Sequence, residues 1–234
     1  MSIAENTARV RGRIDAAARR AGRSPDEIAL MAVSKTFPPQ RIHEAYQAGL
    51  RLFGENRVQE FADKAESLKQ LGEAEWHLIG HLQTNKAAGA AGLFSAIDSV
   101  DSFKLAQKLN TAAQQLGKRL TALIEINVGG ESAKSGVGPE SHELEEVLQA
   151  APQLEHLEIC GLMTIPPFTA DPQQARPYFR RLRELRDQIA ARRLTNASMQ
   201  VLSMGMSHDF EVAIEEGSTC IRIGTAIFGE RDKN

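Results

Sequence analysis

Lys35 is the residue of this chain whose position most directly suggests covalent chemistry. It directly follows the apolar run at residues 28–34, so it lies at the C-terminal end of a predicted strand. Partial desolvation at a strand end favours the neutral amine, and a neutral amine forms a Schiff base with an aldehyde. The alternative is a lysine whose aliphatic stem packs on the strand while its ammonium group reaches water. Both interpretations are open at this point.

Two short segments that combine glycine with hydroxyl side chains indicate an anion site. Residues 203–207 (Ser-Met-Gly-Met-Ser) and the pair Gly224-Thr225 follow the last two predicted strands. Backbone N–H groups in such loops, and at the start of the helix predicted near Asp209, favour a phosphate group. In barrels built from eight alternating strands and helices, phosphate sites often follow the last two strands. Each glycine taken alone would fit an ordinary turn.

Arg222 lies between two isoleucines and is therefore predicted to point away from them. Strand alternation places Ile221 and Ile223 on one face and Arg222 on the other. If the isoleucines face surrounding helices, the guanidinium points into the sheet interior, where it needs acceptors. A purely structural ion pair with an inward carboxylate such as Glu125 is the alternative.

The elements that must position these residues alternate along the chain. Apolar, β-branched runs recur eight times, separated by segments with helical periodicity. Such alternation predicts parallel strands joined by helical crossovers. We therefore expect one domain over residues 1–234: an α/β fold, a single (β/α)8 TIM-type barrel preceded by an extra helix at residues 3–21. An open, doubly wound sheet with fewer strands is the alternative. The predicted strands are 28–34, 50–54, 76–80, 94–100, 121–128, 157–164, 200–204 and 220–225.

Helix boundaries are predicted from local signals. Asp101 can cap the helix after the fourth strand, and Pro139 suits the first position of a later helix. The helix between strands three and four must form within the Ala/Gly-rich stretch 82–92. The proline-rich loop 164–172 follows a strand end, where it could be either a lid or a rigid connection.

Composition excludes several classes of function. The 28 basic and 30 acidic residues give a net charge of −2, so neither nucleic acid nor a membrane surface is an expected partner. No apolar run approaches the ~18 residues of a membrane span, and the N-terminus lacks a secretory signal. Cys160 and Cys220 lie in apolar runs, which indicates buried thiols in a reducing compartment and no disulfide. The expected localisation is cytoplasmic.

Three other patterns predict no further site. His77 and His81 lack the glutamate of a helical zinc motif, so we expect no metal. The stretch 129–136 fails as a phosphate-binding loop, because Val128 and Ala133 stand where glycines are needed. The arginines at 176–193 are interleaved with acidic residues, which predicts a solvated helix face rather than a nucleic-acid surface.

Six motifs in order along the chain resemble the pyridoxal phosphate homeostasis protein family (YggS/PROSC type). They are AVSKT (32–36), GENRVQE (54–60), WHLIGHLQTNK (76–86), GLMTI (161–165), LSMGMS (202–207) and IRIGTAIFGER (221–231). The resemblance implies a barrel similar to the alanine racemase N-terminal domain, with pyridoxal 5′-phosphate (PLP) as cofactor.

The resemblance also implies a role for individual residues. Lys35 would form the Schiff base, Arg222 would face the pyridine nitrogen, and Asn56 would lie near the ring. His81 and Met163 would line the pocket. The phosphate cradle would comprise Ser203, Met204, Gly205, Gly224 and Thr225. One departure is His208-Asp209 after LSMGMS, where the family pattern leads us to expect an acidic pair.

The function implied is that of a PLP carrier in vitamin B6 homeostasis rather than an enzyme. An arginine would keep the ring nitrogen unprotonated and weaken the cofactor as an electron sink. A racemase also needs a second base, and Tyr46 and Tyr178 both lie on predicted helices away from the mouth. With nine residues after Thr225, we expect no tyrosine-bearing second domain. The alternatives are a minimal amino-acid racemase and a barrel that binds phosphorylated metabolites without PLP. Expected partners are PLP and, transiently, PLP-dependent apoenzymes, and we expect a monomer.

Overall fold

Eight parallel strands close into a barrel in which every strand pairs with its neighbour in the chain. The computed structural model describes residues 1–131 and 134–230. The strand order is β1 to β8, and β1 pairs with β8 to complete the closure. The strands are β1 (Ala29–Val33), β2 (Leu52–Glu55), β3 (Glu75–Leu78), β4 (Ala96–Val100), β5 (Leu120–Glu125), β6 (Leu157–Met163), β7 (Ala197–Ser203) and β8 (Cys220–Ile223). The predicted barrel is therefore confirmed, and the open sheet is wrong.

Helices surround the barrel, and one extra helix precedes the first strand. The helices are α1 (Ile3–Arg20), α2 (Pro39–Gln47), α3 (Val58–Leu68), α4 (Ala87–Leu93), α5 (Phe103–Gln115), α6 (His142–Ala150), α7 (Arg176–Ala191), α8 (Phe210–Glu215) and α9 (Thr225–Phe228). Short 3₁₀ turns occur at Pro25–Glu27, Thr84–Lys86, Ala151–Gln153 and Pro172–Ala175. The leading helix and the helix in the Ala/Gly-rich stretch are both present as predicted.

Two apolar clusters hold these layers together. The larger one lies between strands and helices, and its residues include Phe53, Phe94 and Phe179, which are fully buried. The smaller one consists of Met31, Val33, Ile79 and Cys220 inside the barrel. Burial of apolar area on both faces of the strands explains why their sequences are almost continuously apolar.

Two predicted helix starts are wrong because a nearby serine competes successfully for the cap. Ser102, not Asp101, accepts the hydrogen bond from the Leu105 amide at the start of α5. Ser141, not Pro139, marks the start of α6, where its hydroxyl accepts from the Leu144 amide. Serine is a favoured cap residue, so local sequence alone did not separate the adjacent candidates.

The arginines of α7 pair with acidic residues at and just after the end of α8. Arg176, Arg180 and Arg183 all contact Glu216, which is buried just beyond that helix, and Arg176 also contacts Glu215. These ion pairs involve part of the basic face of α7. That face therefore packs against neighbouring acidic residues as well as facing solvent. In the described part of the chain, no helix is long and apolar enough to cross a bilayer.

Both cysteines are free thiols, as predicted, but only Cys220 is buried, and Cys160 is half-buried. Ser132, Ala133 and residues 231–234 lie outside the described residues. They include Ala133 of the rejected phosphate-loop pattern, the last residue of the 221–231 motif and the end of the predicted domain.

Gly161 is expected to be essential for closing β6 against β7. A Cβ at this position would lie 1.8 Å from the Val201 carbonyl oxygen, at a point where the strand register shifts. The backbone of β7 cannot move aside as a flexible side chain can. Because of this clash, Gly161→Ala should lower the free energy of unfolding by ~3 kcal/mol. Urea unfolding measures this change.

Gly12→Ala is the matched control for that substitution. Gly12 lies in α1, and an added Cβ would meet nothing within 4 Å. Alanine has the higher helix propensity, so this variant should be more stable by about 0.5–1 kcal/mol. Equal stabilities for Gly161→Ala and wild type would contradict the packing argument.

Candidate functional site

A cavity of about 540 Å³ opens at the C-terminal mouth of the barrel. Its wall includes six of the ten residues predicted from sequence: Lys35, Asn56, His81, Arg222, Gly224 and Thr225. These residues follow or end strands that are far apart in the chain but adjacent in the closed sheet. The structure therefore brings the predicted lysine, the predicted arginine and part of the predicted phosphate loops to one place.

Lys35 reaches the cavity from a tight turn after β1. The Phe37 amide donates to the Ser34 carbonyl at 3.2 Å, which closes the turn around Lys35 and Thr36. The lysine side chain is half-buried and lies in the cavity wall. This placement agrees with the environment that a Schiff-base lysine requires, partly desolvated yet accessible.

Arg222 points into the barrel interior, as the alternation predicted. Its side chain is 3% exposed, and it donates to the Ser203 hydroxyl and the Thr164 carbonyl, both at 2.7 Å. Burial lowers the pKa of this guanidinium, while the nearby carboxylates of Asp98, Asp209 and Glu125 act in the opposite direction. Among the described residues, Glu125 influences Arg222 through its charge and forms no direct ion pair with it. The two neutral acceptors therefore explain how the guanidinium can be buried, and the alternative ion-pair interpretation is not needed.

The loops after β7 and β8 meet beside the cavity. The Ala226 amide donates to the Ser207 hydroxyl at 3.3 Å and so joins the two loops. Within the first loop, the Met206 amide donates to Asp209 Oδ1 at 2.7 Å, which holds the chain as it enters α8. Ser207, Gly224 and Thr225 line the cavity, so both loops contribute to its wall.

Four predicted site residues lie behind this wall instead of lining it. Met163 and Ser203 are register neighbours inside the barrel, and Met204 is fully buried. The Ser203 hydroxyl accepts from Arg222, so it supports the arginine. Gly205 has a φ of +95°, and a Cβ there would lie 2.6 Å from Ala213, so this glycine lets α8 pack close.

Asn56 and His81 form the opposite side of the mouth. A Cβ at Gly80 would lie 2.3 Å from the Asn56 carbonyl oxygen, so glycine permits the two loops to touch. His81 Nδ1 lies 3.1 Å from Asp101 Oδ2, and its ring is half exposed. No group of three or more His, Cys, Asp or Glu side chains suited to a metal ion occurs in the described ranges.

Glu125, which the sequence indicated only as an ion-pair partner for Arg222, also lines the cavity. It is 7% exposed at the end of β5, and its Oε2 is buried without a hydrogen-bond partner in the described structure. Desolvation raises its pKa to about 7, and Asp101 adds to the effect, while Arg222 and His81 oppose it. The sequence signal that could have identified Glu125 as a cavity residue was a carboxylate at the end of a predicted strand, within an apolar run.

Other cavity residues come from long loops. Lys134, Ile165 and Phe168 line the rim, and the Lys134 ammonium donates to the Pro166 carbonyl at 3.2 Å. Phe168 is 84% exposed. The loop after β6 therefore forms part of the wall, but no sequence periodicity could have indicated which of its side chains face inward.

Known proteins are similar to this chain in sequence and in fold. Residues 6–232 match the family model described as "Alanine racemase, N-terminal domain". The pyridoxal phosphate homeostasis protein of Aquifex aeolicus is 49% identical over 231 residues, which cover 99% of each chain. The structure of PipY from Synechococcus elongatus with PLP bound has a TM-score of 0.84 and 36% identity, and the match covers 97% of this chain and all of that one. An alanine racemase of Clostridium difficile has a TM-score of 0.72 at 15% identity, covering 100% of this chain and 58% of that one, and supports the fold alone.

Ionisation of Glu125 is expected to destabilise the folded protein as pH rises. Burial raises the pKa of this carboxyl from its ordinary value of 4.5 to about 7 in the folded protein, so stability is lost as pH rises between these values. Glu125→Gln removes this cost and should be about 3 kcal/mol more stable than wild type at pH 8. The advantage should disappear near pH 4, where both states of the wild type are largely protonated.

Urea unfolding at pH 4 and pH 8 tests this expectation. Glu73→Gln is the control, because Glu73 is 76% exposed and its neutralisation should change stability little at either pH. A stability difference for Glu125→Gln that is the same at both pH values would contradict the assigned titration.

Proposed function

The chain belongs to the pyridoxal phosphate homeostasis protein family, and from this premise we propose that it binds PLP reversibly at the barrel mouth through a Schiff base with Lys35. The protein would thereby store the cofactor, deliver it and limit the free aldehyde. One observation carries the proposal: Lys35 shares a single cavity with Arg222 and with the glycine and hydroxyl groups after β7 and β8. Such a set can receive an aldehyde, a ring nitrogen and a phosphate group together.

The chemistry of this cavity fits the cofactor. Its volume lies in the range of small-molecule sites. The buried Oε2 of Glu125 lacks a partner among described residues, and a ligand with a hydroxyl or N–H group would supply one. When bound, PLP supplies an aldehyde that combines reversibly with a primary amine.

Each part of the wall would have its own task in holding the cofactor. Ser207, Gly224 and Thr225 would bind the phosphate through hydroxyl and backbone N–H groups. Arg222 would donate to the ring nitrogen, because its contacts to Ser203 and Thr164 leave other N–H groups available. Asn56 and His81 would flank the ring. A donor at the ring nitrogen keeps that nitrogen unprotonated, which suits storage better than catalysis.

Compartment and partners belong to the same proposal. Two free thiols agree with a reducing compartment, and we propose the cytoplasm. We propose that the protein acts as a monomer and that PLP-dependent apoenzymes receive the cofactor from it. The exposed aromatic side chain of Phe168 at the rim would be accessible to such an acceptor.

A minimal racemase is the second candidate, favoured by Glu125 alone. Tyr46 and Tyr178 do not line the cavity. Glu125, however, ends β5, four strands from the β1 end that carries Lys35 in the eight-stranded ring. A carboxyl with a pKa near 7 could act as a second base facing the lysine.

Absorbance spectroscopy with added PLP tests the lysine. Wild type should develop the visible band of a Schiff base that borohydride makes permanent, and Lys35→Ala should not. Lys69→Ala, which changes a 70% exposed lysine, should behave as wild type. If the band persists in Lys35→Ala, PLP forms its Schiff base with another lysine. A colourless wild type that still binds phosphate esters would favour the metabolite-binding alternative.

Exchange of the α-proton of alanine in deuterated water separates carrier from racemase. The PLP-loaded wild type should exchange no faster than an equal concentration of free PLP. Many exchanges per site that disappear in Glu125→Gln would instead establish the racemase and assign Glu125 as its second base.

A further inference from the structure

The turn that carries Lys35 is held by two charged side chains of α3. Glu60 Oε1 accepts a 2.5 Å hydrogen bond from the Thr36 amide. The Lys64 ammonium donates to the Ser34 carbonyl at 3.2 Å and to the Phe37 carbonyl at 3.5 Å. Backbone groups before and after Lys35 are therefore tied to one helix.

Thr36 adopts a conformation that needs this support. Its φ of +68° lies in the left-handed region, which a β-branched residue rarely adopts. Such a conformation persists only where the surrounding structure determines it. The hydrogen bond from its own amide to Glu60 is one such determinant, and it lies one residue after Lys35.

Lys64 itself is fixed by a buried ion pair. Its ammonium lies 2.8 Å from Glu55 Oε1, with Lys64 8% exposed and Glu55 fully buried. The Ser34 hydroxyl donates to the same oxygen at 2.6 Å, and Glu60 lies 3.4 Å from the ammonium. Burial raises the pKa of Glu55, while Lys64 and Ser34 oppose the shift. A buried charge that loses its partner is costly, so this arrangement resists movement of the turn.

We propose that Glu60 and Lys64 are positioning residues for Lys35: by holding the turn at residues 34–37, they aim its side chain into the cavity and so favour Schiff-base formation. Neither residue lines the cavity. Their effect should therefore fall on the covalent step and leave the contacts to phosphate and ring unchanged. The inference rests on the proposed function.

Two ligands separate the covalent step from the remaining contacts. PLP can react with Lys35, whereas 4′-deoxypyridoxine 5′-phosphate has the same ring and phosphate but a methyl group in place of the aldehyde. Glu60→Ala should weaken PLP binding about tenfold, equivalent to about 1.4 kcal/mol, and reduce the visible band. Its affinity for the deoxy compound should stay within twofold of wild type. Calorimetry gives both affinities, and a melting curve checks folding.

Two further variants make the comparison specific. Glu60→Gln retains an acceptor for the Thr36 amide and should restore PLP binding. Glu66→Ala changes an 83% exposed residue of the same helix and should bind both ligands as wild type does.

Three results would overturn the inference. The first is an unchanged PLP affinity in Glu60→Ala, and the second is an equal loss of affinity for both ligands in that variant. The third is a Glu60→Gln variant that binds PLP as weakly as Glu60→Ala, which would assign the loss of affinity to the charge of Glu60. A wild type that binds neither ligand would remove the proposed function itself, and with it this inference.

Discussion

Pairing of β1 with β8 is the constraint on which the site depends. Ala29 to Ala32 lie in register with Cys220 to Ile223, which joins segments almost two hundred residues apart in sequence. This pairing puts the Lys35 turn next to Arg222 and the Gly224-Thr225 loop. Parallel pairing has a second consequence, because all eight strands then end at the same mouth. An open sheet with the same elements would separate the lysine from the β8 end.

The closed barrel also creates the electrostatics of the mouth. Arg222 and Glu125 both point inward and are buried, so their interaction is screened less than it would be at the surface. The guanidinium is stabilised by two direct acceptors, whereas one oxygen of the carboxyl has none among the described residues. The wall thus combines one satisfied group with one that a ligand can satisfy.

Support for the site comes from behind the wall as well as from within it. Ser203 orients Arg222, Gly205 lets α8 approach, and Glu60 and Lys64 hold the Lys35 turn. None of these residues needs to touch a ligand to matter. Motifs such as LSMGMS and GENRVQE therefore contain two kinds of residue, those that line the cavity and those that place them.

The sequence by itself determined the order of strands and helices, favoured the barrel over an open sheet, and indicated the strand ends at which function collects. Periodicity does this because burial on each face of an element is a local pattern, and alternation with Ile221 and Ile223 placed Arg222 on the face opposite them. The predicted helix starts failed at Asp101 and Pro139, because a serine one or two residues later caps the helix instead. Only the tertiary structure decided that the Ser203 hydroxyl accepts from Arg222 and that the Lys64 ammonium donates to the Ser34 carbonyl. It also decided that Glu125 is desolvated near the charge of Asp101. Each of these depends on distances between residues far apart in the chain, set by the closure and register of the sheet, which no local pattern encodes.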